Sequence, residues 1–248
     1  MEEKGNGKLK TGEKTDAPTG VPTLPDRAAL WRETLALAEL SSLQREQLQR
    51  LYEGILLGNR QLNLTRITEP EDFWEKHLWD SLRGVVAFSR RADFELPQSC
   101  RVVDVGTGAG FPGIPLSILH PTWQVTLLDS TQKKIRFLKD LITELGLANV
   151  TAVTGRAERL GQISPYRGSC DLAVVRAVGA TSACARYTLP WLKVGGWAVL
   201  YRGRWTEEER EELEKTLVDL RGTLVDVERF ETPLTQSVRH CIYLRRTS

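Results

Sequence analysis

The stretch VVDVGTGAGFPGIPL, residues 102–116, concentrates the residue types from which a ligand site could be built. Four glycines, Gly106, Gly108, Gly110 and Gly113, follow directly on an apolar run that contains Asp104. Glycine lets a backbone turn tightly and lets a ligand lie against it. Pro112 and Pro115 suit the first turn of a helix, where a missing N–H is tolerated, and the free amides there are donors. A second acid, Asp129, closes the next apolar run about 20 residues downstream, where a carboxylate can accept both hydroxyls of a ribose. Taken singly, the glycines read as a tight turn and Asp129 as a helix cap. Together, at this spacing, they predict a nucleoside-binding crevice.

Those residues need a scaffold, and the pattern after residue 99 supplies one. Short β-branched runs at 100–105, 124–129, 150–155, 171–177 and 196–203 alternate with helical segments near 111–119, 131–147, 181–192 and 206–220. Strand-helix alternation predicts an α/β fold, a parallel sheet covered by helices on both faces. Two further runs, near 224–230 and 240–245, are separated only by a loop and are expected to pair as an antiparallel hairpin, giving seven strands. The glycine loop then falls between strand one and its helix, where open α/β sheets bind ligands.

Upstream the grammar is helical. Residues 26–58 and 71–89 carry apolar residues at helical spacing, Ser41 and Gln44 fit a capping box, and Gly58-Asn59 reads as a stop. Residues 1–24 are polar and end in prolines, so a disordered tail is expected. The predicted organisation is a tail (1–24), an N-terminal helical region (25–98) and an α/β core (99–248).

Composition narrows the class. With 248 residues, the chain can bury a sizeable core. A net charge of +2 does not by itself announce a nucleic-acid binder, although arginine outnumbers lysine and suits phosphate contacts. Cys100, Cys170, Cys184 and Cys241 are too scattered for a zinc site and read as buried, reduced thiols. No metal site is expected. No apolar leader opens the sequence and no run approaches a membrane span, so a cytoplasmic protein is the default expectation.

The residues 108–113 formally match GxGxxG, which alone would suggest NAD or FAD. The fuller pattern, Asp104-x-Gly106-x-Gly108-x-Gly110, resembles instead the motif of Rossmann-like S-adenosylmethionine-dependent methyltransferases, and the terminal hairpin fits that class. A narrower resemblance runs from about residue 40 to the end. NLTRI at 63–67 with Leu62 before it, HLWDS with His77, Asp80 and Ser81, the Phe-Pro-Gly-Ile-Pro continuation of the loop, LLDS, GRAE at 155–158 and Arg176-Ala177 occur in the expected order. They are similar to the small-subunit ribosomal RNA methyltransferase G family, also called glucose-inhibited division protein B.

The resemblance implies transfer of a methyl group from S-adenosyl-L-methionine to N7 of a guanine in 16S ribosomal RNA, with that RNA or a ribosomal particle as partner and nothing that demands an oligomer. Carried over by position, Gly106, Gly108 and Phe111 would meet the cofactor. Asp129, Ser130 and Thr131 would lie near its ribose and adenine, with Ala157 and Glu158 bordering the adenine. Arg176 would face cofactor or RNA as a positioning residue. Asn63 and His77 are candidates for RNA contact or for plain structural hydrogen bonds, and Asp80 for a structural ion pair. Lys133, Lys134, Arg136 and Lys139 form a basic segment open to phosphate contact or to solvent. Guanine N7 has a free lone pair, so placement alone can serve the reaction. A methyltransferase acting on a small molecule or protein, or a non-catalytic RNA-binding protein, remains open at this point.

Overall fold

The computed structural model describes residues 22–35 and 39–248. Most of the expected tail, 1–21, lies outside the described residues. Helices α1 (Ala28–Leu35) and α2 (Ser42–Leu62) come first. The capping box is present: Ser41 accepts from the Gln44 amide, and the Gln44 side chain accepts from the Ser41 amide. Leu48, Leu51 and Ile55 are buried on one face. The helix does not stop at Gly58-Asn59. It runs on to Leu62 and ends at Asn63, which takes the left-handed conformation at φ 47° and ψ 52°. Gly58 serves close packing rather than termination, because a side chain there would collide with the Phe137 ring. Asn59 instead brackets the following loop, accepting from the Thr65 amide and donating to the Thr65 carbonyl.

The expected helix over 71–89 is broken into pieces. α3 (Pro70–Phe73) runs into a π-turn at Trp74–Trp79, followed by α4 (Asp80–Arg83) and α5 (Ala87–Arg90). Within the π-turn the Asp80 amide reaches back to the Glu75 carbonyl. Such wide turns insert one extra residue and rotate the side chains that follow, which is why they recur at functional sites.

The α/β core then follows the expected alternation. In chain order it comprises β1 (Arg101–Val105), α6 (Gly113–Leu119), β2 (Gln124–Asp129), α7 (Gln132–Glu144), β3 (Val150–Thr154) and α8 (Ala157–Leu160). β4 (Cys170–Arg176), α9 (Thr181–Thr188), β5 (Leu192–Arg202), α10 (Glu207–Leu220), β6 (Gly222–Glu231) and β7 (Val238–Arg246) complete it. The seven strands form one sheet in the order β3-β2-β1-β4-β5-β7-β6. β1 to β5 are parallel, and β7 is antiparallel to both β5 and β6, so the expected hairpin closes one edge. Three helix bounds differ from expectation, α7 ending at Glu144 rather than 147. α6 begins at Gly113 rather than Phe111, because residues 107–111 turn on the Thr107 carbonyl. α9 ends at Thr188 and passes into a short 3-10 turn at Leu189–Trp191, where Pro190 has no amide to continue the ladder.

Side chains alternate across the strands into two cores. Val102, Val174, Val199 and Tyr243 face the N-terminal helices, α6 and α7, whereas Val103, Val175, Leu200 and Ile242 face α9 and α10. The N-terminal helices therefore share one continuous core with the sheet. Polar ties reinforce the junction. Buried Glu75 accepts from the Leu234 amide and from the amide and hydroxyl of Thr235, and Tyr201 donates its hydroxyl to the Ser81 carbonyl. All four cysteines are buried free thiols, and burial raises the pKa of each. No helix among the described residues is long and apolar enough to cross a membrane, and no metal-binding cluster occurs among them.

Candidate active site

The strand order reverses between β1 and β4, and their carboxyl ends open into a cavity of about 500 Å3. The glycine loop forms its floor. Gly106 has φ +70°, which favours glycine, and an added Cβ would lie 2.6 Å from Val178. Buried Asp104 fastens the loop from beneath: one carboxylate oxygen accepts from the Thr107 hydroxyl at 2.6 Å and from the Gly113 amide at 2.8 Å. Burial raises its pKa to about 6 against those hydrogen bonds, and its other oxygen has no partner. Asp129, at the end of β2, accepts from the Gly108 amide at 3.1 Å and from the Thr131 amide at 2.8 Å. It is therefore not the helix cap, which is Thr131 with no side-chain cap hydrogen bond; it closes a two-residue turn ahead of α7 and also pins the glycine loop. Each carboxylate oxygen keeps a further lone pair for a ligand hydroxyl.

The cavity brings together most of the residues singled out in the sequence. Gly106, Gly108 and Phe111 line it, as do Asp129, Ser130, Ala157, Glu158 and Arg176. Thr131 does not; its place is at the start of α7, tied to Asp129 through its backbone. Lys134 reaches the wall, while Lys133, Arg136 and Lys139 are exposed along α7. The wall also takes in Leu64, Val178 and Tyr187, which the sequence did not single out. Leu64 lies within the NLTRI stretch and Val178 follows Arg176-Ala177, whereas Tyr187, on α9, carried no signal.

Arg176 is the best-anchored side chain of the site. Its Nη1 donates to the Lys76 carbonyl at 2.7 Å and to the Asp80 carboxylate at 2.8 Å, and its Nη2 lies 3.2 Å from His77 Nδ1. A guanidinium only donates, so Nδ1 is the acceptor and the imidazole proton sits on Nε2. Nε2 then donates to the Thr65 hydroxyl at 2.8 Å. The ring is stacked on Phe111 with centroids 4.3 Å apart and planes within 6°. Burial, then the charges of Arg176 and Lys76, lower the His77 pKa to about 3, so the ring is neutral. The Thr65, His77 and Asp80 signatures of the N-terminal region therefore converge on one arginine of β4. Asn63 acts through its backbone, as the helix terminator. The π-turn makes the convergence possible, since it carries the Lys76 carbonyl and His77 and leads directly into Asp80.

Beyond Arg176 lies a second cavity of about 430 Å3. His77, Arg176 and Ala177 belong to the walls of both, so a single partition separates them. Ala177 sits at φ 56°, an unusual conformation for a residue with a Cβ, and turns the chain sharply after β4. Lys76, Asp80, Arg202 and Arg239 complete the polar wall of the second cavity.

Comparisons with known proteins identify the family. A family model described as rRNA small subunit methyltransferase G matches residues 44–239. A Trichormus variabilis protein named ribosomal RNA small subunit methyltransferase G is 54% identical over 225 residues, 91% of each chain. One of the same name from Microcystis aeruginosa is 47% identical over 90% of this chain and 99% of its own. A solved Thermoplasma acidophilum protein, assigned provisionally as a methyltransferase, superposes with a TM-score of 0.50 over 65% of this chain and 74% of its own, at 14% identity, which speaks for the Rossmann-like fold alone. With the family's motifs gathered around one crevice and its profile spanning most of the sequence, the chain belongs to the rRNA small subunit methyltransferase G family.

Proposed function

We propose that this protein transfers the methyl group of S-adenosyl-L-methionine to N7 of a guanine in small-subunit ribosomal RNA, in the cytoplasm and as a single chain. The observation that carries the reading is the pair of cavities sharing the His77, Arg176 and Ala177 partition. A nucleoside cofactor suits the first: the glycine floor leaves no Cβ in its way, and Asp129 has lone pairs to spare for ribose hydroxyls. When bound there, the cofactor supplies an electrophilic methyl on a sulfonium. The second cavity, lined by cations, suits a nucleotide.

The titratable groups at the partition are already engaged. Neutral His77 uses both ring nitrogens, and Asp80 is paired with Arg176. An acceptor that must first lose a proton would find its base occupied, whereas N7 needs none. The chain's residues then act by placement: the glycine loop and Asp129 fix the donor, and the anchored Arg176 fixes the boundary across which the base is presented. Exposed Lys133, Arg136 and Lys139 on α7 offer phosphate contacts beside the mouth of the crevice.

The test is methyl transfer from labelled S-adenosylmethionine to small-subunit particles from cells lacking this gene, with the modified base mapped. Label at a guanine N7 is the expected result. Label absent from RNA, with cofactor binding intact, would reassign the acceptor to a protein or small molecule.

A further inference from the structure

The proposed reaction moves a positive charge towards a cavity lined by cations. The N7 lone pair forms the new N–CH3 bond while the C–S bond breaks and leaves its electron pair on sulfur. No proton leaves, so the sulfonium becomes a neutral thioether and the purine becomes a cation. A fixed, uncompensated cation beside that base would oppose the transfer.

Four cationic side chains line the second cavity, and three of them are matched. Lys76 meets Asp72 at 2.7 Å, Arg202 meets Glu209 at 2.7 Å and Arg176 meets Asp80 at 2.8 Å. Only in the last pair does the cation, Arg176, stand in the partition, with Asp80 beside it in the wall of the second cavity, and the two side chains are just 14% and 11% exposed. Solvent therefore screens it least. Arg176 has three anchors, the Lys76 carbonyl, His77 Nδ1 and Asp80, but Asp80 alone among them carries charge. Orientation could survive with a neutral acceptor at position 80, whereas charge balance could not.

Resting on the proposed N7 transfer, we infer that Asp80 is a charge-compensating positioning residue: it cancels Arg176 so that the acceptor cavity can hold the cationic base the reaction creates.

The test is steady-state methylation of small-subunit particles by Asp80→Asn, Asp80→Glu, Arg176→Gln and the double variant Asp80→Asn/Arg176→Gln, with cofactor Kd and Tm measured on each. The expected result for Asp80→Asn is a cofactor Kd within about twofold of the parent, little change in KM and a kcat lower by about tenfold or more. Asp80→Glu restores kcat to within about threefold. In the Arg176→Gln background, Asp80→Asn adds no further loss, because no cation is left to compensate. A parental kcat for Asp80→Asn overturns the inference, and so does an equal loss in both backgrounds. If Asp80→Asn fails to fold, Asp80→Glu and the double variant decide alone: a slow Asp80→Glu, or a double variant slower than Arg176→Gln, refutes it. Absence of N7 label with the parent protein would instead sink the proposed reaction, before any variant is compared.

Discussion

His77 offers the most direct check on the electrostatics of the site. It is only 8% exposed, and its pKa falls from an ordinary 6.5 to about 3 because burial and two nearby cations oppose its charge. The sign follows from linkage. The unfolded chain binds a proton at His77 below about pH 6.5 and the folded chain does not, so this contribution is fully present above that pH and is lost as pH falls towards 3. Each further pH step below the unfolded value is worth about 1.4 kcal/mol. Lowering the pH from 8 to 5 should therefore remove about 2 kcal/mol of stability through this residue alone, and the full loss near pH 3 would be about 5 kcal/mol. His77→Asn keeps an acceptor for Arg176 and cannot titrate. Urea unfolding followed by fluorescence of the seven tryptophans, at half-unit steps from pH 8 to 5, gives both curves. His120, lowered to about 4 by burial, adds a slope of the same sign. Asp104, raised to about 6, adds one of opposite sign, its stabilisation being present at low pH and lost as pH rises through about 6. Both residues remain in the variant, so the difference between the curves isolates His77. Parallel curves would refute a neutral His77 and, with it, the assignment of Nδ1 as the acceptor for Arg176.

Three further outcomes are expected. Gly106→Val should abolish cofactor binding in calorimetry while the circular dichroism of the sheet persists, since the new side chain meets Val178 and a β-branched residue is strained at φ +70°; normal binding would place the site elsewhere. Asp129→Ala should weaken cofactor affinity by about 1.5–3 kcal/mol, the worth of a charged hydrogen bond, through lost ligand contacts and a freed Gly108 amide; an unchanged Kd would remove Asp129 from the site. Glu75→Ala should destabilise the fold by about 3 kcal/mol, because two amides and a hydroxyl of the turn between β6 and β7 lose their buried acceptor. Hydrogen exchange in residues 232–237 should rise well above that of β7, and unchanged protection there would show that Glu75 does not hold the turn.

Much of this molecule is legible in its sequence, and the reason is locality. Strand-helix alternation, the terminal hairpin and the N-cap at Ser41 depend on residues a few positions apart, and the structure has them where expected. The glycine loop and Asp129 were readable because a nucleotide-type crevice demands an unobstructed backbone after one strand and an acid at the end of the next. What depended on contacts between distant segments was read less well. Gly58-Asn59 looked like a stop, but the packing of Phe137 against Gly58 kept the helix going. Residues 71–89 looked like one helix, whereas the ties of Glu75 to the hairpin, of Ser81 to Tyr201 and of Asp80 to Arg176 accompany a π-turn in its middle. Asp80 was readable as half of an ion pair but not its partner, His77 only as alternatives and Thr65 not at all, since nothing local says that His77 and Asp80 meet a side chain about a hundred positions away. The sequence by itself determined the fold class, the family and the crevice. Tertiary structure alone decided the partition between two cavities, because a neutral imidazole and a compensated arginine exist only once burial has shifted one and distant segments have paired the other.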